Sequence, residues 1–115
     1  MPTRPDPADA EQRRAQIAAE IAALGPALPG SVVQRHNRCA RPDCACKADP
    51  PQLHGPYPAW TRKVAGKTVT RSLTRDQAAR YQSWVDNNRR LRELVTELQR
   101  LAVEQAEAAE GRPRS

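Results

Sequence analysis

The chain predicts an α+β fold: a short N-terminal helix, a small antiparallel sheet or β-hairpin with irregular cysteine-bearing loops, and a long C-terminal helix. Three observations carry this expectation. Apolar residues recur every three or four positions near both ends of the sequence. Two β-branched runs in the middle are separated only by Ala65-Gly66. Three cysteines and a histidine, Cys39, Cys44, Cys46 and His54, follow the spacing C-x4-C-x-C-x7-H.

The first helix is expected over 7–25, after a disordered start at 1–6. Asp6 suits the N-cap, Pro7 the first helical position and Asp9 the first turn. Ala10, Arg14, Ile17, Ile21 and Leu24 then form a narrow stripe, with Arg14 its polar interruption, and Gly25-Pro26 stops the helix. A β module is expected over 30–73. Ser31 to His36 has the β-branched content of a short strand, and Arg38 to Pro51, with three prolines, reads as irregular loops. Tyr57–Val64 and Lys67–Leu73 read as a hairpin. Trp60, Arg62 and Val64 alternate with Ala59, Thr61 and Lys63, and the Gly66 connection suits a type I turn followed by a left-handed residue. The Ser31 segment is a candidate third strand. Trp60 and Trp84 are expected to pack together.

Thr74-Arg75-Asp76-Gln77 matches a capping box and opens a helix over 74–109, about 35 residues or ~50 Å long. A tail at 110–115 is expected to be disordered. The helix carries a heptad-like seam of Trp84, Asn87, Leu91, Leu94, Leu98, Leu101, Gln105 and Ala108. Ile17, Ile21 and Leu24 would cover only about two turns of it, leaving much of Leu91 to Leu101 bare. Exposed apolar stripes mark a partner, so homodimerisation through this helix is expected.

With 115 residues, no Phe and only two Trp and two Tyr, the possible core is thin. Such a chain benefits from a metal cross-link. Tetrahedral zinc takes four N/S ligands, and Cys39, Cys44, Cys46 and His54 would fill all four positions of a structural, zinc-knuckle-like site. An odd cysteine count cannot be fully paired in one chain. His36 is the rival fourth ligand, and an iron–sulfur cluster the lesser metal alternative. The absence of a long apolar run predicts no membrane span. The start lacks the pattern of a secretory signal, so a cytoplasmic protein with reduced thiols is expected.

Charge is uneven. Residues 35–75 hold nine Lys/Arg against Asp43 and Asp49, while the whole chain is only +6. A basic patch beside a small rigid module is what a polyanion-binding surface requires. Arg38, Arg41, Arg62, Lys63, Lys67 and Arg71 are the candidate phosphate contacts, with DNA favoured over RNA because a two-stranded ribbon fits the major groove. The competing reading is a protein-interaction or dimerisation module that uses the C-terminal helix, with zinc purely structural. Catalysis is not expected: there is no nucleophile–base arrangement, no Gly-rich phosphate loop, and no Glu between Glu20 and Glu93 to serve an open zinc site as base.

The string Arg38-Cys39, Cys44-Ala45-Cys46, His54-Gly55-Pro56-Tyr57, Trp60-Thr61-Arg62-Lys63-Val64 and Gly66-Lys67-Thr68-Val69-Thr70-Arg71 resembles a small bacterial and archaeal family defined by a domain of unknown function. The resemblance runs from about Leu24 to Leu101. It implies a shared fold unit and brings no activity, substrate or partner with it.

Overall fold

The computed structural model describes residues 7–111. They order as α1 (Pro7–Ala23), β1 (Ser31–Asn37), a 3-10 turn (Ala45–Lys47), β2 (His54–Val64), β3 (Lys67–Ser72) and α2 (Arg75–Glu110), the expected α+β arrangement. Asp6, expected to cap α1, lies outside the described residues, as do the ends expected to be disordered, apart from Glu110 and Gly111. The described residues divide into two compact units, 7–27 with 87–111 and 28–86.

In the first unit the two helical stripes meet. Ala10, Ile17, Leu94 and Leu101 form the buried cluster, with Ile21, Leu24 and Leu98 packed against it. Ile17 and Leu94 are fully buried, and each such side chain is worth about 1.5–3 kcal/mol of removed apolar surface. The stripe expected to stay bare is therefore covered at Leu94 and Leu101 by α1 of the same chain. The cover is partial, since Leu91 and Leu98 of the same stripe remain half-buried. Two charged forks border the cluster. The Arg13 guanidinium donates to both oxygens of Glu97, at 2.5 and 2.7 Å, and Arg90 donates to both oxygens of Glu20. Asn87, a polar member of the expected seam, donates its amide to the Pro26 carbonyl at 2.9 Å, pinning the chain just after α1.

In the second unit the three strands form an antiparallel sheet in the order β1-β2-β3. The Ser31 segment is thus a genuine third strand, and β2 is central. Val64 pairs with Lys67, leaving a two-residue loop in which Ala65 and Gly66 both have positive φ, 51° and 81°. That is the signature of a type I′ connection rather than the type I turn expected, and it matches the right-handed twist of the strands. Pro58 sits in the central strand without penalty. Its pairing with β3 has ended at Ala59–Ser72, and its carbonyl accepts from the Leu73 N–H at 3.0 Å just past the ladder. The capping box forms as read: the Gln77 N–H donates to Thr74 Oγ1 at 3.1 Å, and the Thr74 N–H to Gln77 Oε1 at 2.9 Å.

The aromatic packing differs from expectation in one respect. Tyr81 stands between the tryptophans, with its ring centroid 5.6 Å from Trp60 in an edge-on arrangement and 5.3 Å from Trp84. Trp60 Nε1 donates to the Pro29 carbonyl at 2.9 Å, so the buried indole is satisfied.

Two outcomes follow for the helical unit. Leu94→Ala should cost about 2–5 kcal/mol of stability, read as a lowered denaturant midpoint. Hydrogen bonds from Arg13 and Arg90 hold the Glu97 and Glu20 carboxyls below the ordinary value of 4.5. A folded-state value below the unfolded one contributes stability that is complete above pH 4.5 and is lost as pH falls further. A Glu20→Gln/Glu97→Gln variant should therefore be less stable than the parent at neutral pH, and its stability should fall less between pH 5 and 3, as followed by helical circular dichroism.

Candidate metal centre

The loops between β1 and β2 bring four donor atoms together. The Sγ atoms of Cys39, Cys44 and Cys46 and a ring nitrogen of His54 all lie within 4.8 Å of one another. Cys39 and Cys46 sulfurs are 3.6 Å apart, and Cys44 Sγ is 3.3 Å from His54 Nε2. A tetrahedron with zinc–sulfur arms has edges of about 3.8 Å, so the cluster has the dimensions of a single coordination sphere. The four side chains can hold a metal ion. His36, the rival ligand, sits exposed on β1 outside the group.

Local hydrogen bonds explain how so irregular a segment holds this geometry. The Cys44 N–H donates to the Arg41 carbonyl at 3.3 Å, the Lys47 N–H to Cys44 at 2.9 Å and the Ala48 N–H to Ala45 at 3.0 Å, closing the turn that carries Cys44 and Cys46. The Gln52 N–H then reaches back to the Ala45 carbonyl at 3.1 Å. That bond folds the proline-rich stretch across the turn and delivers the next residues to the sulfurs. Lys47 Nζ donates to the Cys39 carbonyl, tying the first ligand to the same turn.

His54, expected to follow the loops and precede the hairpin, instead opens the strand itself, because β2 begins at His54 rather than Tyr57. The β1–β2 ladder pairs Arg35 with Tyr57 but Asn37 with His54. Two steps on β1 thus answer three on β2, which is a one-residue bulge at Gly55-Pro56. Side chains alternate along a strand, so the extra residue changes the face on which His54 emerges. It lies on the side shared by Tyr57 and Arg35 instead of Trp60's side. Glycine is required there. Gly55 has φ of 122°, and a Cβ would stand 2.7 Å from the Arg35 carbonyl oxygen. The spacing of the cysteines alone does not reveal this device. The Gly-Pro directly after the histidine is the signal that does, once it is read as a bulge rather than a strand breaker.

The thiols are not equivalent. Cys46 is fully buried, whereas Cys39, Cys44 and His54 are half-buried. The backbone N–H of Cys39 donates to Cys46 Sγ at 3.4 Å. That bond, helped by the neighbouring Cys39, Cys44 and His54 and opposed by burial, lowers the Cys46 thiol to about 7. The Arg41 N–H pulls Cys39 the same way, but burial and the adjacent Cys44 and Cys46 outweigh it and push Cys39 up. Cys46 is therefore shifted toward its thiolate and Cys39 away from it, and binding of a metal by these side chains would release protons.

The six expected phosphate contacts do not form one patch. Arg38 and Arg41 are exposed in the cysteine loop. Trp60 pairs with Arg71, Arg62 with Val69, and Val64 with Lys67, so Arg62, Lys67 and Arg71 share the face of Trp60 while Lys63 emerges on the other. Arg62 stacks over the Trp60 ring with its Cζ 4.2 Å from the centroid. Arg71 reaches the Tyr81 hydroxyl at 3.4 Å. Both arginines are thus partly engaged by the aromatic cluster. No helix among the described residues is long and apolar enough to cross a membrane.

The bulge yields a direct test. Gly55→Ala should destabilise the fold by about 1–3 kcal/mol through the forced backbone conformation and should lower metal affinity as well, because His54 is displaced. Isothermal titration with zinc alongside thermal melting measures both.

No curated protein and no solved structure matches the chain. The family model for a domain of unknown function, DUF6788, matches residues 7–83, a span that begins and ends earlier than the resemblance expected over 24–101 and stops before the Leu91–Leu101 stripe. That span holds all four candidate ligands, the bulge and the hairpin, and it exceeds half of the chain: the protein belongs to the DUF6788 family.

Proposed function

We propose that the protein is a non-enzymatic, zinc-stabilised module that binds nucleic acid, DNA in preference to RNA, through its sheet and cysteine loops. The observation that carries this reading is the composition of the sheet. The strands 31–37, 54–64 and 67–72 contain Arg35, Arg62, Lys63, Lys67 and Arg71 and not one Asp or Glu. A folded surface with cations and no balancing carboxylates suits a polyanion. Arg38 and Arg41 extend the positive charge onto the loops that the metal would hold.

Zinc is the metal the donor set favours. Three thiolates and an imidazole are soft to borderline ligands, and tetrahedral S/N spheres select zinc over the oxygen-seeking divalent ions. Four protein ligands leave no open position for a substrate or an activated water, which supports a structural role. In that role the ion's binding free energy is folding free energy. Purified protein should carry one zinc per chain. Cys44→Ser should lose that zinc together with the cooperative melting of the sheet, and metal analysis beside a thermal melt reads both changes. An unchanged melt would count against the site.

The nucleic-acid reading is tested by titrating the zinc-loaded chain with a DNA duplex at several salt concentrations. Log K should fall against log[salt] by about 0.9 for each phosphate met, so that Arg38, Arg41, Arg62, Lys63, Lys67 and Arg71 together set an upper limit of about −5 on the slope. A flat response removes the proposal. A second reading, a protein-interaction module using α2, is favoured by one observation. An apolar groove of about 430 Å³ runs beside the helical cluster, lined by residues that include Ile17, Ile21, Leu98 and Leu101. Self-association or protein capture with no response to DNA would support it.

A further inference from the structure

The sheet has two faces, and the residues expected to bind phosphate divide between them. On one, Trp60, Arg62 and Arg71 are drawn into contacts among themselves and with Tyr81. The other has a different chemistry. The ladders pair Ser31 with Thr61, Thr61 with Thr70, and Lys63 with Thr68, so four hydroxyls and one ammonium emerge on the same side. Of these, Ser31, Thr61, Lys63 and Thr68 border an open depression of about 210 Å³, which Gly30 and Arg62 also line. Ser31, Lys63, Thr68 and Thr70 are exposed.

Gly30 builds one wall of this depression. A Cβ there would run into the Thr61 carbonyl and stand 2.8 Å from Trp60 Nε1. The absent side chain lets β1 begin in close contact with β2 and sets the Ser31 hydroxyl beside Thr61. Further along the same face, Arg35 pairs with Tyr57, a residue that is 47% exposed. Four strand residues separate Tyr57 from Thr61, or about 13 Å, the scale of a short run of nucleotides.

Hydroxyls and an ammonium are hydrogen-bond donors that converge on an oxyanion. No carboxylate stands on any of the three strands to compete for them. An exposed tyrosine on a sheet face is a platform on which an unpaired base stacks. We infer that this hydroxyl-lined face binds a single-stranded stretch of nucleic acid, with a backbone phosphate held in the depression by Ser31, Lys63 and Thr68 and a base stacked on Tyr57. The inference rests on the nucleic-acid reading above and assigns the binding to the face opposite Trp60.

The test is fluorescence anisotropy of the zinc-loaded chain with an oligothymidine of twelve nucleotides and with a duplex of equal length. The variants are Lys63→Gln, Ser31→Ala/Thr68→Val, Tyr57→Ala and the charge-restoring Lys63→Arg. Melting curves confirm that each stays folded, as exposed positions should. The expected result is tighter binding of the single strand than of the duplex. Lys63→Gln should weaken it about tenfold and reduce the salt slope by about 0.7, the increment of one phosphate on a single strand. Tyr57→Ala should weaken binding about fivefold or more with the salt slope unchanged, and Lys63→Arg should restore the affinity lost by Lys63→Gln. Oligothymidine binding that is indifferent to all four variants overturns this assignment while leaving the broader reading intact. Failure of the parent chain to bind either oligonucleotide overturns both. Inorganic phosphate that binds the parent and not Lys63→Gln, with oligothymidine affinity unaltered, assigns the depression to a free anion and overturns the nucleic-acid assignment.

Discussion

The convergence of three sulfurs and one imidazole is the constraint on which the middle of this protein depends. Between Asn37 and His54 the described chain has no regular structure beyond one turn of 3-10 helix, and ordering it costs about 1–2 kcal/mol of backbone entropy per residue. The short hydrogen bonds that close the Cys44–Ala48 turn and return Gln52 to Ala45 offset only part of that. A shared cation, if held there, would offset the rest by drawing the sulfurs and the imidazole to one centre. The same cross-link would anchor both ends of the irregular segment to the β1–β2 ladder, so that metal and sheet would support each other.

The two units solve the shortage of large apolar residues in different ways. The helical unit buries a few aliphatic side chains and borders them with bidentate arginine–glutamate forks, a geometry that adds orientation as well as attraction. The unit holding the sheet has a small aromatic cluster in which Tyr81 joins the two tryptophans. It relies on donor atoms for the remainder. Its strands carry cations without a carboxylate, whereas the helices pair Arg13 with Glu97 and Arg90 with Glu20.

Much of this was legible in the residues. The helices, the three strands, the capping box and the four clustered ligands follow from periodicity and spacing. What escaped was set by tertiary register. The turn at Ala65-Gly66 was misread because alanine is a poor occupant of a positive-φ position, and only the Val64–Lys67 pairing forces it there. The early start of β2 was hidden by Gly55 and Pro56, which by composition read as breakers. Tyr81 lies three residues before Trp84 on one helical face, a spacing that marks neighbours, but nothing in the sequence says that Trp60 meets it. Coverage of Leu94 and Leu101 by α1 depends on the whole length of both helices, reaching back to Ala10, which a count of large side chains discounts.

The bulge at Gly55 makes the interval from His54 to Trp60 a matter of odd and even. Removing a single residue there would turn the imidazole to the opposite surface of the ladder and leave the sulfurs one donor short, however well the strand otherwise formed. The stretch from Lys47 to Leu53 carries no such arithmetic, since it need only arc back to its starting point. Length variation in this domain should therefore be tolerated on the cysteine side of the histidine and forbidden on its tryptophan side.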